Sequence, residues 1–177
     1  MKRMQRPEAI RDELEGRTKG RVRVRSVDRD GHEETLFEGA NTVVEGVYVV
    51  MLSQLLDVPG DLARELTSQM VLGDNPAPTS FTNELADMVP ISYHDIKEQY
   101  PTAGALSETI ECEWDFDEGN GVDGVQRTYY EIGLLSTTGR LLARIVPRNP
   151  DDSIRGIVKS QQHKLIVDWT LYWSFGA

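Results

Sequence analysis

The sequence holds one cysteine in 177 residues. A lone Cys112 excludes an internal disulfide and a cysteine-built zinc site. Histidine is almost as scarce. His32, His94 and His163 stand far apart, and none has a second His or Cys at a metal-ligand spacing. No run comes near the roughly 20 apolar residues that cross a bilayer as a helix, so no membrane partner is expected. The opening residues, MKRMQRPEAIRDELEGR, carry no apolar stretch of the kind a secretory signal needs, and synthesis in the cytoplasm is expected. Also missing are the G-x-S-x-G elbow, H-E-x-x-H, the P-loop and the dinucleotide fingerprint, so no cofactor is expected. No repeat of 20–50 residues and no low-complexity tract interrupts the chain.

What is present suffices for a core. Hydrophobic residues make up 39% and charged residues 27%, which argues against wholesale disorder. One β-rich domain over 21–177, preceded by a basic arm at 1–20, is the expected organisation. The net charge of −10 is unevenly spread: residues 1–25 carry nine Lys or Arg against four acids, the remainder ten against twenty-five. The acidic body would repel phosphate, so nucleic acid is not an expected partner except through the arm. Arg3 and Arg6 in the arm, with Arg21, Arg23 and Arg25 just after it, are the candidates for meeting an acidic partner; a solvated, partly helical leader is the plainer alternative.

Hydrophobic periodicity points to mostly antiparallel β structure. Residues 21–27 (RVRVRSV) alternate with period two, Asp28 to Gly31 is turn chemistry, and 33–39 (EETLFEG) completes a hairpin. Residues 106–117 are the clearest strand. Leu106, Ile110, Cys112, Trp114 and Phe116 share one face, and Glu111, Glu113, Asp115 and Asp117 the other. Further strands are expected at 70–73, 91–98, 125–135, 140–146 and 164–175. The loop Ser136 to Gly139 joins two of them as a hairpin. One helix is expected near 41–56, where Val44, Val47, Tyr48, Met51, Leu52, Leu55 and Leu56 form a stripe and Thr42 with Glu45 makes a capping box. Its valines leave a strand as the competing reading. A shorter helix is expected at 7–15. The fold class is therefore mainly β, an antiparallel sandwich or bent sheet with one packed helix.

The candidate chemistry is sparse. Alternate carboxylates along a strand stand about 7 Å apart and do not converge, so the acidic row reads as a solvated or basic-partner-facing surface more readily than an ion site. DFDEGN places Gly119 and Asn120 where a calcium loop needs an acid and a glycine. Cys112 reads as a small buried hydrophobe. On the last strand Leu165, Val167, Trp169, Leu171, Trp173 and Phe175 share a face, which leaves Ile166 and Tyr172 opposite as interface candidates. Glu131 sits in an apolar strand. Either it is exposed, or it is buried and needs a cation, with Arg140 or Arg144 across the hairpin as the choices. It is the remaining interface candidate. Gly133 beside it invites a close approach by another backbone or a bulky ring.

Four segments then occur in order: residues 41–46 (NTVVEG), 71–78 (VLGDNPAP) with 82–85 (TNEL), 129–135 (YYEIGLL) with 139–144 (GRLLAR), and 157–160 (IVKS) leading into 165–171 (LIVDWTL). Over about residues 36–175 this pattern resembles structural proteins of tailed bacteriophages and prophages, especially tail, baseplate and fibre-attachment proteins. The resemblance implies a non-enzymatic virion component, an oligomer in the tail, neck or baseplate, whose partners are copies of itself and adjacent virion proteins. A capsid decoration or cement protein is the alternative station. Fibre proteins with this pattern usually continue into long shafts, and the sequence here ends at Ala177, which moves the expectation away from a fibre. Two readings rest on the residues alone. A small ligand-binding β-sandwich would need exposed Trp114, Trp169 or Trp173 for stacking. A hydrolase would use Asp115, Asp117 or Glu131.

Overall fold

The computed structural model describes residues 18–48, 67–80, 82–101 and 107–173. The arm with Arg3 and Arg6, the helix expected at 7–15, the 49–56 part of the second helix, Leu106, Phe175 and the side chain of Trp173 lie outside the described residues. Eleven strands are described: β1 Thr18–Asp28, β2 Glu33–Val43, β3 Thr67–Gly73, β4 Pro90–Asp95, β5 Glu98–Pro101, β6 Ser107–Trp114, β7 Arg127–Tyr129, β8 Glu131–Ser136, β9 Leu141–Ile145, β10 Ile157–Lys159 and β11 His163–Trp173. The protein is mainly β, as the periodicity predicts. Nine strands form one antiparallel sheet in the order β4-β3-β8-β9-β2-β1-β11-β6-β5, and β7 with β10 makes a separate ribbon.

Two features bend this sheet. β2 turns a corner: it pairs with β1 from Glu33 to Asn41, and then its last residues, Thr42 and Val43, pair with Arg144 and Ala143 of β9. A bulge at Val24/Arg25 adds twist along the β1–β2 hairpin. At the other side, the edge strands β4 and β5 follow each other in the chain. Between them Ile96 N–H bonds Ser68 O and Lys97 N–H bonds Glu111 O, each at 2.9 Å. The connection therefore touches both ends of the sheet and nearly closes it. Thr67–Gly73 reaches one half and Ser107–Trp114 the other, so the sheet folds over on itself.

The core fills the space between the halves. From β1, β6 and β11 come Val22, Val24, Ile110, Cys112, Trp114, Leu165, Val167 and Trp169, all fully buried. Met70, Leu72, Ile132, Leu134 and Ala143 meet them from β3, β8 and β9. At roughly 25 cal/mol per Å² of apolar area removed from water, such a cluster is the main stabilising contribution. A second cluster lies on the far side of β3, β8 and β9, where Val44, Val71, Leu135 and Leu141 are covered by Met88 and partly by Leu85. Every residue of β8 and β9 is buried as a result. These strands show continuous apolar runs because both of their faces are covered.

Several expectations need correction. Residues 41–43 extend β2 rather than opening a helix; helical geometry is seen at 45–48. The β-branched Thr42 and Val43 find strand partners in β9, which outweighs the capping pattern. Residues 91–98 divide into β4 and β5 where the chain changes sides of the sheet. Residues 125–135 divide at Tyr130, whose N–H bonds Gly73 O at 2.9 Å, so β7 and β8 belong to different sheets. β6 ends at Trp114, and Asp115 starts a turn. β10 carries no alternation long enough to announce it.

Gly133 provides room for Met88 and Val71 rather than for a backbone or ring. A Cβ there would stand 2.7 Å from Met88 Sδ and 2.9 Å from Val71 Cγ1. Overpacking such a site costs about 1–3 kcal/mol. Gly133→Val is expected to lower the free energy of unfolding by that amount, read as a reduced urea midpoint at an unchanged slope.

Candidate functional site

The ion pair Glu131–Arg144 has almost no exposed surface. Glu131 opens β8, and Arg144 lies in β9 directly opposite Gly133, two residues along from Glu131, which makes the two a diagonal pair on one face. Their side chains are 0% and 1% exposed. Arg144 Nε and Nη2 both reach Glu131 Oε2 at 2.9 Å. The other carboxylate oxygen, Oε1, accepts the backbone N–H groups of Asn75 at 3.0 Å and Val89 at 2.7 Å. Arg144 then donates to Asn83 Oδ1 at 3.2 Å and Asn75 O at 3.3 Å. Arg144, not Arg140, is thus the partner of Glu131, and Glu131 is interior. It is therefore not an interface residue, because a carboxylate with no exposed surface offers nothing to another chain. The arrangement ties residues 74–89 across the outer face of β3, β8 and β9. Gly73 completes it, since a Cβ there would stand 2.7 Å from Glu131 Cγ.

The acidic row finds its cations within the same chain. Arg25 holds Asp168 with two bonds, at 2.9 and 3.0 Å, and reaches Glu33 at 3.0 Å and Glu111 at 3.4 Å. Lys164 meets Glu113 at 2.9 Å and Asp115 at 3.2 Å, and Lys97 also bonds Glu113. Neighbouring strands supply opposite charges at matching heights, so β1, β11 and β6 present a neutralised ladder. Arg21 pairs with Glu38 at 2.7 Å, and Arg23 bonds Thr35 at 3.1 Å; both remain well exposed. Ile166 is partly covered and Tyr172 is exposed on this same outer surface. Of the interface candidates that are described, Arg25 is largely occupied, while Arg21, Arg23 and Tyr172 face outward.

The remaining chemistry-bearing groups are engaged locally. Burial pushes the Cys112 thiol up to about 12, so it holds no thiolate at neutral pH. His94 lies 3.0 Å from Glu118 and packs against Trp114. These two acidic and basic side chains line a shallow cleft of about 340 Å³ with Lys97, Glu113 and Asp115. Asp115 Oδ1 accepts its neighbour's N–H from Phe116, and Glu118 accepts from Asp115 N–H. Asp28, Asp30 and His32 gather ligand-type atoms within 4.8 Å of one another at the β1–β2 turn. Its sequence signal is the spacing D-R-D-G-H, which holds no paired His or Cys. Asp28 there accepts N–H bonds from Asp30 and His32 at 2.9 Å, which accounts for the cluster as a turn.

Trp114 and Trp169 are fully buried and offer no stacking platform for a ligand. No family model matches the chain, and neither does any curated protein or solved structure.

Arg144→Met leaves a buried carboxylate without its cation and is expected to cost about 3–5 kcal/mol. Glu131→Gln/Arg144→Met keeps the acceptor for Asn75 and Val89, so in a double-mutant cycle it is expected to lose clearly less than the two single changes summed. Glu113 is held below the ordinary carboxylate value of 4.5, first by the hydrogen bond from Lys97 and then by Lys164. Its contribution is present above that value and disappears as pH falls through the lower folded one. Lys164→Met is expected to flatten the stability change between pH 6 and pH 3 in denaturant titrations.

Proposed function

We propose that this chain is a non-enzymatic structural subunit of a tailed-phage particle, assembling as an oligomer in the tail, neck or baseplate. The observation that carries the reading is where the phage-like segments lie. Val43 of the first pairs with Ala143 of the third, and Val71 to Gly73 of the second pair with Gly133 to Glu131 of the third. Asn75 and Asn83 of the second segment bond the Glu131–Arg144 pair of the third. The residues that carry the resemblance thus make one connected scaffold, which is what a shared structural module requires.

The surface supports self-association as its use. Val122 is 82% exposed and Val125 62% exposed, with Tyr93, Val89 and Tyr172 also open to solvent. Aliphatic and aromatic side chains left outside a well-filled core are the material of protein contacts. Partners on this reading are copies of the chain and adjoining particle proteins, and its location is the virion. Capsid decoration is the other station consistent with it.

Staged disassembly of particles followed by mass spectrometry is expected to retain this chain in the tail, neck or baseplate fraction. Light scattering of the purified chain is expected to show one defined oligomer. A strict monomer at all concentrations, together with absence from particles, would overturn the proposal.

A further inference from the structure

Lys159 is fully buried at the end of β10, yet all three of its hydrogen bonds go to neutral oxygens. They are Phe116 O at 3.4 Å, Asn120 Oδ1 at 3.1 Å and Ser160 O at 2.9 Å. The first two belong to the turn at 115–121, so the amine joins this turn to the β7–β10 ribbon. Other bonds shape the same turn. Asn120 Nδ2 donates to Phe116 O at 2.7 Å, and the Tyr129 hydroxyl donates to Gly119 O at 2.6 Å. The oxygens of DFDEGN do converge on a cation, but that cation is a lysine of the same chain.

We infer that Lys159 is a proton-linked clamp: the 115–121 turn closes over an amine stripped of its water and held by neutral oxygens alone, and in alkaline solution opening the turn takes up a proton. The inference is independent of the proposed function. An ammonium moved out of water onto carbonyl and amide oxygens loses hydration that those oxygens replace incompletely. The charged and titratable groups facing the amine and its turn are few. Asp115, Asp117 and Glu118 on the turn act in favour of the charge. Tyr129 and Arg127 stand on β7, with Arg127 directly opposite Lys159. His163 contacts Ser160 Oγ, and His94 contacts Glu118. Lys164 and Arg29 lie over the Phe116 ring at 5.3 and 4.5 Å.

Desolvation outweighs the acids, and the buried amine is lowered from 10.5 to about 8. The sign of the linkage follows. Once the turn opens, the amine regains its ordinary value, so between about 8 and 10.5 the open form binds a proton that the closed form does not. Raising pH through this window therefore disfavours opening. Below it both forms are protonated and the cost of burial is constant.

Hydrogen exchange measured as protection factors, which divide out the base catalysis of exchange, tests this on the amides of Asp117 to Gly121. Between pH 7.5 and 9.5 protection is expected to rise on the order of 10-fold. Lys159→Met is expected to abolish the rise. Asn120→Asp places a carboxylate beside the amine, and the rise is expected to move to higher pH. An equal rise in Lys159→Met, or no rise in the unmodified chain, would overturn the clamp. Should Lys159→Met not fold, an unmoved profile in Asn120→Asp would overturn it instead.

Discussion

A carboxylate with no exposed surface fixes how the layers of this protein meet. Glu131 accepts two charge-assisted bonds from Arg144 and two backbone N–H groups from the 74–89 segment. Buried charges are tolerated only when every hydrogen-bonding position is filled, and here strand β8, strand β9 and a long connection all contribute. The pair thereby selects one placement of the 74–89 segment, which in turn covers Val71, Leu135 and Leu141. Apolar contacts alone are non-directional and would permit several placements of the same segment. The ionic pair supplies the direction and the apolar cluster most of the favourable free energy.

The two halves of the sheet solve the problem of an outer face differently. β8 and β9 are buried on both faces and lie beneath their own covering segment. β1, β6 and β11 have an apolar inner face and an outer face of alternating charges bonded across strands. An exposed ion pair contributes little, about 0–1 kcal/mol, but a ladder fixes register, because a slip of one residue would turn every charge inward. Lys159 extends the theme to the loops, where an internal ammonium gathers turn oxygens that would otherwise need another donor.

The fold was legible wherever one face met water. The alternation in RVRVRSV and IECEW gives β1 and β6 directly, since Val22, Val24 and Ile110 are buried and Arg21, Arg23, Glu111 and Glu113 are not. It failed where both faces are covered or where a strand is three residues long. β7 and β10 have too few residues to show a period, and the break at Tyr130 depends on a bond to distant Gly73 O. Of the candidate site, Glu131 was legible as a conspicuous acid in an apolar run, with Arg144 among its possible partners. Asn75 and Asn83 were not, because turn residues in a Pro-rich loop announce a bend and not a destination. The acidic row was legible as a surface, but its cations come from strands far apart in sequence, such as Arg25 and Asp168.

The pairing of β1 with β11 along eleven residues, Thr18 with Trp173 through Asp28 with His163, joins the beginning of the described chain to its end. Loop closure on that scale is slow, and much of the sheet's middle waits for it. During synthesis the β1–β2 hairpin would emerge early with one edge unsatisfied and stay so until residues 163–173 left the ribosome. A nascent chain in that state offers an open strand to whatever extended segment it meets first. The order of events in time, as much as the finished architecture, then decides whether this protein completes its own sheet or borrows a neighbour's strand.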